Sequence, residues 1–245
     1  MSEENQDPKE NQTDSNFNTE EIKKEAAETV NQVKDTIKNT DFKKDANEAK
    51  GFFSKLWKEP IKTMENVTHS SQKQFLKIAI IVFVIWLVAS FLSGLISIFN
   101  SLSYYSVHYG TFASFFKDAV SNILAIVKIV ITPILSVGVL SAIIYFMLKE
   151  KKKPFITIAT AVVVAKIPVV LASVISLLEI FSSQFYKITS MFSGICSVIS
   201  TVLLFFVIKS FYGEKDEDKS MKSFVIIMAI FYVIRFIFSF LGIYL

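Results

Sequence analysis

The chain has 245 residues, of which 52% are hydrophobic and 20% are charged, and 24 of them are phenylalanine. Residues 1–77 carry a net charge of −2, whereas the more apolar residues 78–245 carry +6. A soluble domain has about 45–50% apolar and about 25% charged residues. A polar head joined to an apolar body excludes a single soluble globule and a basic DNA-binding domain. A secreted disulfide scaffold is also excluded, because Cys196 is the one cysteine.

Residues 1–19 form a polar tail that we expect to be disordered. The tail is acidic and rich in Asn and Gln, and Phe17 is its one aromatic residue. It has too little apolar surface to order itself. It also lacks the basic and apolar regions of a signal peptide. Membrane insertion is therefore expected to use the internal apolar segments.

Residues 20–65 are predicted to form amphipathic helices. Apolar residues recur at spacings of three and four at Ile22, Ala26, Val30, Val33 and Ile37. This spacing places them on one face of a helix. A second run of the same kind begins near residue 42. Three interpretations stay open for this region: a solvated and partly formed helix, a helix lying on the membrane, and a helix that pairs with a protein partner.

A cluster of large apolar side chains near residue 55 predicts an interfacial anchor. The cluster comprises Phe52, Phe53, Leu56 and Trp57, and lysines are interspersed among them. Aromatic residues favour the boundary between membrane and water, and basic residues beside them reach lipid headgroups. We expect this segment to lie in the plane of the membrane surface.

Five apolar stretches are long enough to cross a bilayer, whose core of about 30 Å requires about 20 helical residues. They cover residues 75–99, 119–148, 155–180, 188–212 and 224–245. Strand-like alternation is absent, and backbone groups in lipid must be satisfied internally, so helices are predicted. The predicted fold class is all-α: a polytopic membrane protein with a five-helix transmembrane bundle over residues 75–245 and amphipathic N-terminal cytoplasmic helices. Four spans with one re-entrant segment are the alternative.

Lysines in the connections between spans predict the orientation. Residues 50–77, 149–154 and 213–222 are rich in lysine, whereas the other two connections contain only Lys117 and Lys187. Basic residues accumulate on the cytoplasmic side. The pattern predicts a multi-pass protein of the cell membrane, with a cytoplasmic N-terminus and an extracellular C-terminus. The excess of Lys, Asn, Ile and Phe is typical of an AT-rich bacterial genome.

The sequence contains no recognisable catalytic motif. The two histidines, His69 and His108, are expected on opposite sides of the membrane and cannot share a metal. Zinc-protease, serine-hydrolase, phosphate-loop and dinucleotide-binding motifs are all absent. We therefore expect a protein that is not an enzyme and that uses no cofactor and no metal.

Two basic residues inside the spans are the sharpest chemical feature. Lys166 and Arg235 each lie about 18–20 Å from the inner end of their span, at a rise of about 1.5 Å per residue. A cation at that depth costs about 2.5–3.5 kcal/mol on insertion scales. In one interpretation both side chains snorkel or bond carbonyls freed by Pro168. In another, spans three and five enclose a cavity for an anionic lipid headgroup or a carboxylate; a proton-coupled site is the third.

Prolines and small residues predict where the bundle bends and packs. Pro133 and Pro168 are candidate hinges, and we expect the 30-residue second span, which contains Pro133, to be the most irregular. Lys128 is expected near the outer boundary, as a snorkelling side chain or a partner of Glu179. The pairs Ser90/Gly94 and Ser193/Ser197 have the spacing that lets membrane helices approach closely.

Two segments carry a family resemblance. They are Leu-Trp-Lys-Glu-Pro-Ile-Lys-Thr-Met at residues 56–64 and Ala-Lys-Ile-Pro-Val-Val-Leu at residues 165–171. With the five-span topology, they resemble the bacterial branch of the Yip family over residues 52–245. The acidic Asp-Leu-Tyr-Gly-Pro motif of eukaryotic members is absent, so their roles with small GTPases and in vesicle traffic are not implied. The resemblance implies a membrane protein of undefined activity.

Two functional hypotheses follow from these features. The first is a non-enzymatic scaffold that organises the membrane or recruits a protein partner through residues 20–65. The second is a transporter or binder of an anionic lipid or solute that uses Lys166 and Arg235. Membrane lipids are expected partners in both cases and nucleic acid in neither, and the sequence assigns no oligomeric state.

Overall fold

The structure is a computed structural model that describes residues 19–39, 41–69, 72–108, 112–148, 153–181, 185–213, 216–240 and 242. All regular structure in these ranges is helical. The elements are α1 (Thr19–Lys38), α2 (Phe42–Lys58), α3 (Pro60–His69), α4 (Gln72–His108), α5 (Phe112–Met147), α6 (Phe155–Ala165), α7 (Ile167–Ser176), a 3-10 turn (Leu177–Ile180), α8 (Phe185–Tyr212) and α9 (Glu217–Phe240).

The apolar helices form an all-α membrane bundle, as the sequence predicts. Helices α4, α5, α8 and α9 are each long and apolar enough to cross a bilayer. Helices α6 and α7 are bent by 47° relative to each other and pass the same test as a pair, which gives four or five spans. Each predicted span overlaps one of these helices or the bent pair, and residues 241 and 243–245 of the fifth predicted span lie outside the described residues.

The break in the bundle lies in the third apolar segment, so the expectation that the second would be the most irregular is wrong. Helix α5 continues through Pro133 without interruption. Lys166 separates α6 from α7 instead, and Pro168 occupies the first turn of α7. Proline is tolerated in a first turn, where its missing N–H would have no partner in the helix. A transmembrane helix can also accommodate an internal proline, as α5 does.

The end of the bundle beside α1–α3 is densely packed. Each of the helices α3 to α6, α8 and α9 contributes side chains that are fully or almost fully buried there: Met64, Val67, Val82, Leu140, Ile144, Ile158, Val162, Val207, Ile208 and Ile227. Close van der Waals contact is the main attraction between helices in lipid. This layer therefore closes the head end of the bundle.

Helix α3 is part of that layer. The Thr68 hydroxyl shares a hydrogen bond with the hydroxyl of Ser210 near the end of α8. His69 Nε2 lies 3.3 Å from the carbonyl oxygen of the same serine. These polar contacts fix α3 against the end of α8 and satisfy hydroxyl groups that are buried by the packing.

The Glu25 carboxylate joins helix α1 to the bundle. Glu25 accepts a hydrogen bond from the Tyr145 hydroxyl of α5 and another, of 2.8 Å, from the backbone N–H of Phe155. Phe155 is the first residue of α6, so its backbone N–H has no hydrogen-bond partner within that helix. A carboxylate also interacts favourably with the positive end of the helix dipole. The head helix therefore caps α6 and joins it to α5.

Helix α2 packs on α4, which changes the expected role of the interfacial anchor. Phe52 and Leu56 are buried in the core, Phe53 packs partly against it, and only Trp57, 54% exposed, points outward. Asp45, almost fully buried, lies 3.5 Å from Lys77 Nζ. The amphipathic face of α2 therefore covers protein instead of lipid, and contact of Trp57 with the membrane stays a prediction.

Removing the Glu25 carboxylate should loosen the head. In an E25A variant we expect amide hydrogen exchange in α1 and at Phe155 to accelerate by roughly 10-fold, since a hydrogen bond to a charged group contributes about 1.5–3 kcal/mol. E28A is the matched control, because Glu28 is exposed on the same helix. Equal exchange rates in E25A and the wild type would contradict this role of Glu25.

Candidate functional site

Lys166 is positioned by the bend between α6 and α7. Its backbone has φ −84° and ψ −2° and ends α6. Its ammonium group lies over the Phe231 ring, 5.8 Å from the centroid, and Phe231 is buried. A cation over an aromatic face gains about 0.5–2 kcal/mol. The side chain thus points into the bundle, toward α9.

Arg235 lies one helical turn after Phe231. Ile227, Phe231 and Arg235 are four residues apart, so they share one face of α9, and the first two are buried. Arg235 is exposed and lines a cavity of about 630 Å³, and Lys166 lines the same cavity. The structure therefore brings together the two intramembrane cations that the sequence singles out.

A third cation, Lys128 of α5, lines the cavity as well. The remaining polar lining is mostly hydroxyl groups: Ser90, Ser93, Thr132, Ser136, Ser173, Ser176, Ser193 and Ser197. No Asp or Glu occurs among the described residues that line it. The arrangement is a positively charged cavity with many hydroxyl groups and no carboxylate.

Gly242 lies close to Lys128 beyond the end of α9. A Cβ at Gly242 would lie 2.7 Å from Lys128 Nζ, and the glycine has φ +68°, a conformation that other residues rarely adopt. A cation at this position also faces the negative end of the α9 dipole. The expected partner of Lys128, Glu179, accepts a hydrogen bond from the Thr189 hydroxyl instead.

The bend does not supply carbonyl partners for the cations. The carbonyls of Val162, Val163 and Val164 accept backbone N–H groups at the end of α6. Among the described residues, Lys166 and Arg235 form no ion pair with a carboxylate. The hypothesis that freed carbonyls neutralise these side chains therefore has no support in the geometry.

The cavity occupies the half of the bundle remote from the head. Lys166 is eleven residues into the bent pair, about 17 Å from Phe155. Ser193 lies seventeen residues before Ser210 on α8, which places it about 26 Å from the Thr68–Ser210 contact. The packed layer next to α1–α3 forms the floor of the cavity, so it is closed on the head side.

The electrostatics of the cavity favour an anion. Each cation in a low-dielectric region costs about 2.5–3.5 kcal/mol, and the contact with Phe231 offsets only part of this for Lys166. Ser193 and Ser197 donate hydrogen bonds to no protein group in the described part of the chain. A bound anion would compensate the charge and accept these hydroxyl donors.

The charges in this cavity do not suit a metal ion. Within the described ranges, no group of three His, Cys, Asp or Glu side chains lies close enough to hold one. A cavity lined by three cations would also repel a metal cation. The residues present therefore fit an anion better than a metal.

A second cavity, of about 540 Å³, lies at the head end between α3 and α8 and has a different character. Glu65, His69, Lys209 and Glu217 are among its lining residues. Lys209 forms an ion pair with Glu217. Because its charges are of both signs and partly paired, this cavity lacks the net positive charge of the first.

The sequence did not predict that Lys128 and the serine hydroxyls would line a cavity. The serines at positions 90, 193 and 197 were expected to allow close helix contact, yet they line the cavity. Gly94 does have the expected role, since a Cβ there would lie 3.2 Å from Ile126 of α5. Spacing alone does not distinguish a small residue that permits contact from a hydroxyl that lines a void.

Comparison with protein-family models, with curated proteins and with solved structures finds no match to this chain. The resemblance to the Yip family therefore stays a prediction that rests on residues 56–64, residues 165–171 and the topology.

Proposed function

We propose that this protein is a non-enzymatic membrane protein that binds the anionic group of a lipid or solute within the bundle. One observation carries the proposal: Lys128, Lys166 and Arg235 line a single cavity in which no described lining residue is acidic. A volume of about 630 Å³ is within the range of small-molecule sites, which is about 300–1,000 Å³.

The chemistry of the three cations suits an oxyanion. The guanidinium of Arg235 presents N–H groups in a planar fork that matches phosphate or carboxylate. Lys166 adds a point charge from the bend between α6 and α7, and its ammonium group contacts Phe231. The hydroxyls of Ser193 and Ser197 supply further donors. The ammonium group, the guanidinium group and the serine hydroxyls together form a binding site for an anionic headgroup.

We further propose that α6 and α7 together form one span, which makes five in a bacterial cell membrane. A bend of 47° leaves α7 continuing away from the head, whereas a re-entrant segment would have to reverse direction. With five spans, the lysine-rich connections all lie on the head side. The positive-inside rule then places the head in the cytoplasm and the open end of the cavity toward the outside.

A scaffold that organises the membrane or recruits a partner is the second candidate. Helix α1 docks on the bundle through Glu25 and leaves apolar side chains of its own exposed: Val30 is 64% and Ile37 is 50% exposed. Exposed apolar residues on one helix face can bind a partner or a membrane surface. The observation is weaker support than the cavity, because these residues form a narrow stripe.

Sided cysteine labelling tests the orientation. In a C196S background, we expect an impermeant maleimide to label F181C in intact cells and D218C only after permeabilisation. Both positions are exposed, Phe181 at the end remote from the head and Asp218 at the head end. Labelling of D218C in intact cells would overturn the orientation, and labelling of both positions from one side would overturn the five spans.

Neutralising the cations tests anion binding. In native mass spectrometry of protein purified from vesicles of phosphatidylglycerol and phosphatidylcholine, we expect the wild type to retain phosphatidylglycerol preferentially. K166Q and R235Q should each reduce this retention by roughly 10-fold, since a charge-assisted hydrogen bond contributes about 1.5–3 kcal/mol. K222Q removes the same charge from an exposed position on α9 and should leave retention unchanged.

Two results would contradict the proposal. One is equal retention of the two lipids by the wild type together with no binding of a soluble anion, tested with glycerol 3-phosphate. The other is equal loss of retention in K222Q and R235Q, because this would attribute the effect to net charge and not to the cavity.

The scaffold candidate predicts an effect of the α1 stripe. If α1 organises the membrane, vesicles reconstituted with wild-type protein should differ in diameter from vesicles that contain a V30S/I37S variant. K34Q, an exposed change on the same helix, serves as the control. Identical diameters for the wild type and V30S/I37S, measured by light scattering, would count against a membrane-organising role of this stripe.

A further inference from the structure

We infer that the anionic group held by Lys128, Lys166 and Arg235 is a terminal phosphate monoester, which carries two negative charges, and not a monoanionic diester or carboxylate. This inference rests on the proposed function, because it specifies the ligand class of the same cavity. Three features support it: the charge at the floor of the cavity, the shape of the floor, and the donors around it.

The charge at the floor calls for a dianion. Lys166 contacts Phe231, and Arg235 follows Phe231 by one turn on α9, so these two are the charged lining residues nearest the buried layer of Val162 and Ile227 among the described residues. A monoanion would leave at least one of them uncompensated in a low-dielectric environment, which is unfavourable. A phosphate monoester carries up to two negative charges near neutral pH, with a second pKa of about 6. It can therefore compensate both cations at once.

The floor of the cavity suits a group at the end of a molecule. Ile227 lies two turns before Arg235 on α9 and is fully buried, and Val162 is fully buried one turn before Lys166. A ligand cannot continue past this layer toward the head. A monoester phosphate is terminal and can reach such a floor, whereas a diester phosphate carries organic groups on both sides.

The donors match the oxygens of a terminal phosphate. Such a group presents three oxygens that accept hydrogen bonds. Arg235 can address two of them through its fork, and Lys166 can address the third as a point charge. Ser193 and Ser197 line the same cavity and have no protein acceptor in the described ranges. The hydroxyls of these two serines can donate hydrogen bonds to the remaining lone pairs of the phosphate oxygens.

Lys128 extends the positive charge toward the open end. It lies beside Gly242, which follows the end of α9, and α9 itself extends five residues, or about 8 Å, past Arg235. An anion that approaches from the open end would pass Lys128 before it reached Arg235 and Lys166. A lipid with a phosphate monoester headgroup and a water-soluble phosphate monoester share this chemistry, so both are sources that an experiment has to distinguish.

The experiment measures affinities of the full-length protein in an uncharged detergent by isothermal titration calorimetry. The probes are dioctanoyl phosphatidic acid, a monoester; dioctanoyl phosphatidylglycerol, a diester; dioctanoyl phosphatidylcholine, a zwitterion; and glycerol 3-phosphate, a soluble monoester. At pH 7.5 we expect phosphatidic acid to bind at least 10-fold more tightly than phosphatidylglycerol. At pH 5 the ratio should fall to about threefold or less, because the monoester loses its second charge.

The ratio of the two lipids removes pH effects that act equally on both, because both lipids contact the same protein groups. Three charged side chains face the site among the described residues: Lys128 from α5, Lys166 from the bend between α6 and α7, and Arg235 from α9. Helices α4 and α8 contribute serines and Trp86, which do not titrate in this range. R235Q should bring the ratio at pH 7.5 close to one, and K222Q should leave it unchanged. R235K keeps the charge but loses the fork, so an intermediate ratio is expected.

Each outcome decides a different point. Tight binding of phosphatidic acid alone indicates a lipid ligand, and binding of glycerol 3-phosphate within threefold of it indicates a soluble one; both support the monoester class. Equal affinity for phosphatidic acid and phosphatidylglycerol, with both above phosphatidylcholine, would overturn the monoester class and leave the proposed function standing. No preference for any anionic probe over phosphatidylcholine would overturn both.

Discussion

The change of helix direction at Lys166 is the feature on which the rest of the bundle depends. The lysine ends α6, and the 47° bend turns α7 so that the ammonium group lies against Phe231 of α9. A continuous helix would give the third apolar segment a different course from Ile167 onward. The backbone bend thus lies at the residue that carries the charge, and the cavity lies on the side of Lys166 that is remote from the head.

Packing divides the bundle into two unlike halves. On the head side, α3 fills the space between α6 and α8, and Glu25 and Asp45 attach the first two helices to the bundle. On the other side, hydroxyl groups and three cations surround a void. Dense packing stabilises a membrane bundle, whereas unpaired cations destabilise it. Charges that are kept at the expense of stability are typical of a binding site.

The head has a structural role in addition to any role in recruitment. Glu25 satisfies an N–H group at the start of α6 and a hydroxyl on α5, so it connects the two helices on either side of the lysine-rich connection. Those same helices contribute Lys128 and Lys166 to the cavity or its edge. Binding to the head and occupancy of the cavity therefore act on the same pair of helices, although the two regions lie at opposite ends of the bundle.

The sequence by itself determined the all-α membrane fold and the approximate positions of the apolar helices. These follow from apolar length and helical rise, which are local properties. Tertiary structure decided the rest. Phe52 and Leu56 have the composition of a membrane anchor, but α4 offered them a protein surface to pack on. Pro133 and Pro168 look alike in sequence, yet α5 is continuous through Pro133, whereas the third apolar segment breaks beside Pro168. Lys128 lies beside Gly242, more than a hundred residues later, and both residues line the cavity. Such contacts between distant residues depend on how the helices are arranged, which periodicity along one helix does not specify.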